Sequence, residues 1–304
     1  SNLPLSDALS LELGGRHEYR VAEHYNNFVS TSQAVTSDNK MNNRVIWEGS
    51  LVAQLGWSGG PLKLALGTRG THNMAFGDNL SSRFSAVYTI NDRNSLKFMA
   101  GQSFRAPTPF ELYFQNAPVT VLGNPGLRAE KTSTAEASYL TSWDKLFAQL
   151  TVYYQDYRST IRRKLGDFTR DGVAYANVNY YDNAKTYNAK GAEVELRYTA
   201  AKTSVFTAIS YVSGSQGDAE TIAATGGLAA AQTYSFKYVP RYTLSAGASL
   251  GAANPFGRGE FFGSLTATHY SPMDTLLTRL PAQACADLSA GYKLGAFKHV
   301  LGIH

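Results

Sequence analysis

Cysteine is almost missing from this chain of 304 residues: Cys285 stands alone, which excludes an internal disulfide and any paired-thiolate metal site, and it reads as a strand filler. Methionine is nearly as scarce, with 4 residues. No run of about 18 apolar residues occurs, which excludes a membrane-crossing helix but not a membrane-crossing strand. The mean hydropathy of -0.24 is therefore no argument for solubility. Charge of one sign is not in large excess either. A net +5 is dispersed, with no Lys/Arg cluster on a helix or beside stacking aromatics, so nucleic acid is not an expected partner. There is no Gly-x-Ser-x-Gly elbow, and the six His show no metalloenzyme spacing. Catalysis is not expected, and no cofactor or resident metal is called for. His72 with Met74, and His269 with Met273, have copper-binding chemistry, but without a Cys or a second His they read as ordinary loop residues. The chain opens Ser-Asn-Leu without Met or signal peptide, as a processed or excised piece would.

What is abundant is tyrosine and glycine, 19 and 27 residues, with Ser, Thr and Asn, a composition of strands and turns. The stretch RVIWEGSLVAQLGW (44–57) shows the pattern. Val45, Trp47, Gly49, Leu51, Ala53, Leu55 and Trp57 fall on one face of a strand, and Ile46, Glu48, Ser50, Val52 and Gln54 on the other. The two tryptophans are ten positions apart. At about 3.3 Å per residue and a tilt of roughly 40° this spans about 25 Å, the height of the apolar band of an outer-membrane barrel. Tryptophan favours both edges of such a band, so Trp47 and Trp57, with Tyr154, are candidate girdle residues. For one segment, a half-buried strand of a soluble sandwich explains the pattern as well.

The same alternation recurs from residue 62 to 292, and helices play almost no part. Connections separate the two readings. Tight turns near 58, 91, 142, 200 and 294 alternate with long links at 29–41, 105–128, 159–185, 214–238 and 271–282. Short turns on one side and long loops on the other define an up-and-down outer-membrane barrel, whereas a sandwich gives no reason for them. The expectation is an all-β, antiparallel, up-and-down transmembrane β-barrel of about thirteen strands, the first near Leu9. Residues 1–304 are expected to form a single domain. A barrel whose two termini both face the periplasm needs an even number of strands, and an open sheet leaves two unpaired edges, so the domain is expected to be incomplete at both ends.

SFRAPTPFELYF (103–114), followed by GNPGLRAEKTSTAEASY (123–139), resembles the paired boxes of TonB-dependent outer-membrane receptors. NVNYYDNAKTYNAKGAEVELRY (177–198) and LPAQACADLSAGYKL (280–294) are similar to two further segments of that family, in the same order. The resemblance falls on Phe104, Arg105, Ala106, Pro107, Glu111, Leu112, Tyr113, Asn124, Pro125, Leu127, Glu130 and Lys131. It implies a barrel of twenty-two strands, preceded by a plug domain and a segment that engages TonB. It also implies residence in the outer membrane of a Gram-negative bacterium, contact with outer-membrane lipid, and energy-coupled uptake of a scarce ligand, usually an anionic ferric siderophore. Plug and TonB segment are not found in these residues. A passive porin-like channel and a soluble β-rich adhesion module are the alternatives.

The residues have a reading of their own beside the resemblance. Pro107 and Pro109 end a strand and Asn124-Pro125-Gly126 is turn chemistry, so both boxes read first as the shaping of one large loop. With tight turns placed at the periplasm, Arg69, Arg83, Arg105 and Arg241 fall at outer strand ends facing the lumen, a guanidinium set suited to an anion. The plainer reading pairs them with lumenal Glu48, Glu136, Glu193 and Glu195. Tyr153, Tyr154, Tyr157 and the loop pair Tyr180-Tyr181 are candidates for stacking on a catecholate or sugar ligand, or else Tyr154 belongs to the girdle and the others line the wall. No His lies between the two boxes, which weakens a haem reading.

Overall fold

The computed structural model describes residues 2–22, 26–28, 35–38, 41, 44–116, 119–183, 186–216, 239–255, 257–275, 278–295 and 297–303. Strands β1 (Asn2–Pro4) and β2 (Leu9–Ala22) lead, followed by a small hairpin of β3 (Asn26–Phe28) and β4 (Val35–Asp38). Next come β5 (Arg44–Gly59), β6 (Leu62–Asn73), β7 (Gly77–Asn91) and β8 (Asn94–Arg105), the helix α1 (Pro109–Tyr113) and β9 (Val121–Leu122). The chain continues through β10 (Glu130–Trp143), β11 (Leu146–Arg158), β12 (Ile161–Arg170), β13 (Val173–Asn183), β14 (Tyr187–Ala200) and β15 (Thr203–Gln216). Last are β16 (Tyr242–Ala253), β17 (Glu260–Tyr270), β18 (Met273–Asp274), β19 (Arg279–Leu280), β20 (Gln283–Leu294) and β21 (Phe297–Ile303).

Fourteen of these make one antiparallel sheet in the order β1-β2-β5-β6-β7-β8-β10-β11-β14-β15-β16-β17-β20-β21, each strand beside its predecessor. The expected count of thirteen is corrected by β1, a three-residue strand too short to show alternation, paired through Leu3 with Leu11. Strict alternation of short and long links fails once. Residues 74–76 join β6 to β7 on the long-loop side, because Asn73 Oδ1 accepts from the backbone N–H of Ala75 (2.9 Å) and closes the turn at once. Within the described residues the sheet is open, with β1 and β21 as its edges.

Register sorts the side chains. Opposite partners share a face, and one row runs Trp57, Leu64, Ala86, Phe98, Ala137, Val152, Ala192, Tyr211, Tyr242 across nine strands. This face is apolar and exposed, Leu51 at 76%. The other face is polar and more closely filled. Ser138 and Thr151 hydroxyls meet at 3.0 Å, Ser264 and Ser289 at 2.7 Å, and Ser50, Thr71, Asn79, Ser138 and Thr151 are buried. Curvature crowds the concave side and splays the convex one, so the polar face is the lumen. The apolar face is the one turned to lipid.

Aromatics on the apolar face gather near both strand ends. Trp57, Tyr88, Trp143, Tyr198 and Phe261 lie within four residues of inner turns, and Tyr19, Trp47 and Tyr154 lie towards the outer ends. Gly60, Asp144, Ala201 and Gly295 take positive φ, as tight hairpin turns demand. The 14 residues of β10, tilted like the rest, reach about 35 Å against a band of about 25 Å. Outer strand ends thus project beyond the band, and the one cluster of buried apolar side chains identified among the described residues lies there: Ile46, Leu112 and Leu127, flanked by Ala75, Tyr113, Ile161 and Tyr181.

Candidate functional site

The projecting rim is built by the loops after β8 and β11. Pro107 ends β8 for want of a ladder N–H, and Thr108 then caps α1. Its hydroxyl accepts from the Glu111 N–H (3.2 Å) while the Glu111 carboxylate accepts from the Thr108 N–H (2.8 Å), a reciprocal capping box. Arg105, the last residue of β8, spends its guanidinium on two carboxylates, Glu111 at 3.0 and 3.1 Å and Glu130 at 2.6 and 2.9 Å. Burial alone would raise the Glu111 pKa, but the Arg105 guanidinium and the Thr108 N–H outweigh it and hold the group below the usual carboxylate range. Glu130 also accepts from the Ile161 N–H (2.6 Å), which ties β12 to the same node.

The second box closes this loop. Asn124 Oδ1 accepts from the Gly126 N–H (2.8 Å) in an Asx turn, and its amide donates to the Tyr181 carbonyl (3.0 Å). Leu127 drops into the rim core beside Leu112, and the Tyr113 ring lies under the Arg44 guanidinium, 4.6 Å from its centroid. Position 123 must be glycine, because a Cβ there would meet the backbone of Leu112, Tyr113 and Phe114 at 2.7 to 2.8 Å. Phe104 points to the apolar side, where its ring lies 6.1 Å from Phe76.

Two residues that sequence reasoning did not single out lock the loops together. Arg170, 6% exposed, donates to the carbonyls of Tyr113 (3.2 Å), Phe114 (3.3 Å) and Gly123 (3.5 Å), collecting acceptors left over at the end of α1. Asn183 accepts from the Arg128 N–H (2.9 Å) and donates to the carbonyls of Arg128 (3.0 Å) and Ser159 (2.7 Å). Parallel pairing of β13 with β9 completes a three-stranded sheet standing on the rim. Tyr180 stacks on Phe168 (4.5 Å) and Tyr181 meets Phe110 edge-on (6.1 Å), so both rings are engaged within the loops.

On the lumenal face, Arg69 reaches Glu48 at 3.5 Å, and Asn73 donates to the same carboxylate at 3.1 Å. Arg83 faces Gly67 across β6 and β7, and that glycine leaves room for the guanidinium to lie over β6 and donate to Gln54. Arg241 is exposed, one residue before β16, and makes no ion pair among the described residues. Six strand steps separate β7 from β16, about 29 Å along the wall. The structure brings Arg69 and Arg83 together diagonally and leaves Arg241 apart. Glu195 pairs with Arg197. Tyr153 lies across β14 over Gly191, filling the place of the missing side chain.

A planar, cation-topped surface also faces the lumen near the outer end. Tyr157 and Tyr187 stack at 4.3 Å and 7°, with the Arg162 guanidinium 5.8 Å above Tyr187. Only Tyr157 of the three was marked by sequence. The pairing of Tyr157 with Tyr187 depends on β11 skipping the whole β12–β13 hairpin to meet β14, which no local signal announces. His72 bonds to Asp78 (2.6 Å) on the apolar face, away from the lumen, and no cluster of three or more His, Cys, Asp or Glu suited to a metal occurs among the described residues.

Comparison with known proteins places this arrangement. The family model described as TonB dependent receptor-like, beta-barrel, matches residues 1–302. The ferric enterobactin receptor of Pseudomonas aeruginosa is 29% identical over 134 residues, 39% of this chain and 18% of that protein. A crystal structure of a mutant of the Pseudomonas aeruginosa ferric enterobactin receptor superposes with a TM-score of 0.72 at 19% identity, covering 99% of this chain and 46% of that one. The siderophore receptor PirA from Acinetobacter baumannii gives 0.71 at 15% identity, covering 97% and 47%. The FrpB iron transporter from Neisseria meningitidis gives 0.67 at 12%, covering 96% and 46%. The chain spans less than half the length of these relatives.

Proposed function

This chain belongs to the TonB-dependent receptor β-barrel family, whose members are outer-membrane transport receptors of Gram-negative bacteria and not enzymes, and from that premise we propose that the natural protein takes up an anionic ferric siderophore in an energy-coupled step driven through TonB. The observation that carries the ligand class is the pairing of guanidinium groups with stacked tyrosines on the outer lumenal face: Arg69 and Arg83 on the wall, Tyr157 and Tyr187 under Arg162. Stacked phenols and a cation suit a planar aromatic anion such as a catecholate, because the ring faces accept the aromatic and the guanidinium accepts its charge.

The rim module serves a different end. Its charges are spent inside the loops, Arg105 on Glu111 and Glu130 above all, so it shapes the mouth and leaves contact with the ligand to the wall.

Iron-limited cells that depend on the natural protein supply the test, with uptake of a radiolabelled ferric catecholate as readout. Neutralising Arg69, Arg83 and Arg241 together to Gln is expected to abolish uptake while surface levels and heat-modifiable mobility stay normal. Unchanged uptake sinks the arginine proposal. Uptake that persists in cells lacking TonB rejects energy coupling and supports a passive channel.

A further inference from the structure

The lipid-facing side of the sheet carries a concavity of about 1050 Å³ near the outer ends of β2, β5, β6 and β7. Register explains it. One row across these strands reads Gly15, Leu51, Gly70, Leu80, and the row above reads His17, Gly49, His72, Asp78. Glycine and leucine alternate, so each leucine stands on a bare floor. Leu51 and Leu80 are the most exposed large apolar side chains of their strands, at 76% and 65%. A Cβ at Gly70 would meet nothing within 4 Å, and one at Gly15 only Leu51 and a carbonyl. Strands are about 4.8 Å apart, so two leucines on strands two steps apart leave a slot about one methylene chain wide over Gly70.

On its inner side the slot is bordered by the Thr68 and Ser82 hydroxyls, which are turned to each other at 3.2 Å, and ionisable groups border it on its outer side. The Trp47 ring lies between His17 (6.0 Å) and His72 (5.1 Å), and Asp78 fixes the His72 ring through Nδ1 at 2.6 Å. Lys131 reaches the same concavity from β10 and makes no ion pair among the described residues. Asp78 is the one carboxylate at the site, and it is turned to His72. A second outward concavity, of about 400 Å³ around Ala86 and Ala137, has almost wholly apolar walls and no such imidazole ridge.

We propose that the slot over Gly70 seats one acyl chain of a phosphorylated lipid of the outer leaflet, with the phosphate held at the ridge by Lys131 and the His72 ring. The location decides the class of occupant: this face meets hydrocarbon, and a void there is filled by the chains that surround it. Charge decides the head group, since the ridge presents the Lys131 ammonium, with two imidazole rings able to hydrogen-bond and its one carboxylate turned to His72. The site lies on the opposite side of the wall from the lumenal groups and is independent of the siderophore reading.

The test is native mass spectrometry of the natural protein in detergent, titrated with diphosphorylated lipid A or with phosphatidylethanolamine. The wild type is expected to retain one lipid A more tightly than phosphatidylethanolamine by tenfold or more. Gly70→Leu, which fills the slot, should lower lipid A retention at least tenfold. Lys131→Gln should lower it severalfold and leave phosphatidylethanolamine unchanged, and Ala137→Leu at the second concavity should change neither. All three are surface substitutions on the apolar side, and heat-modifiable mobility reports that each variant is folded. Equal retention in Gly70→Leu and wild type overturns the proposal. So does an equal loss in Ala137→Leu, or a protein dimer in place of bound lipid.

Discussion

Replacing Arg170 by Met would remove the guanidinium that joins the β12–β13 hairpin to the loop after β8, while keeping a side chain of similar reach. The structure supplies the magnitude. Three carbonyls, of Tyr113, Phe114 and Gly123, receive its N–H groups at 3.2, 3.3 and 3.5 Å, and Met can replace none of them. Hydrogen bonds from a charged donor contribute about 1.5–3 kcal/mol each, but these are long. Taking about 1 kcal/mol apiece gives about 3 kcal/mol, or roughly 150-fold in a local opening equilibrium. Hydrogen exchange followed by mass spectrometry reads that equilibrium in the peptide 106–128, whose amides at Leu112, Phe114, Gly123 and Asn124 are bonded within the loop. Exchange there should accelerate by about two orders of magnitude, while the β10–β11 ladder is unmoved. Arg170→Lys should fall between, because an ammonium cannot span three carbonyls at once. Unaltered exchange in 106–128 would refute the account of Arg170 as the clasp. Equal acceleration in β10 and β11 would show that the loops have no local stability of their own.

Two further outcomes are expected. Glu111 is held below its ordinary 4.5 in the folded loop, so its contribution is complete above that value and is lost as pH falls through the folded value. Exchange protection of 106–128, corrected for the intrinsic rate, should therefore drop on acidification below about pH 4.5, and Glu111→Gln should start low and show no such drop; protection independent of pH in the natural loop would contradict the Arg105–Glu111 pairing. Trp47 and Trp57, near opposite ends of β5 on the apolar face, should each be quenched by brominated lipid in variants retaining only that tryptophan. Quenching of neither would count against the lipid-facing assignment of this side.

The wall was legible in sequence and the roof was not, for a physical reason. Each wall strand carries its own record, because a strand with lipid on one side and polar lumen on the other must alternate, and RVIWEGSLVAQLGW does so without reference to its neighbours. Register then follows from tight turns, which fix how Trp57 meets Leu64 and Ser138 meets Thr151. The roof is held by side chains that find backbone far away in sequence: Arg170 on Tyr113, Asn183 on Arg128, Asn124 on Tyr181. Such contacts leave no periodic trace. The boxes at 103–114 and 123–139 pointed to one half of these contacts, with Tyr113 and Asn124 marked, while Arg170 and Asn183 were not singled out and Tyr181 was marked for its ring and not for its carbonyl. β1 escaped for a related reason, since three residues are too few to alternate. The arginine set shows the opposite failure. Parity placed Arg69, Arg83 and Arg105 on the lumenal side, but parity carries no circumferential coordinate, so it grouped Arg241 with residues five to seven strands away. Where the chain meets a uniform medium, its pattern is local and readable. Where it meets itself, only the fold decides.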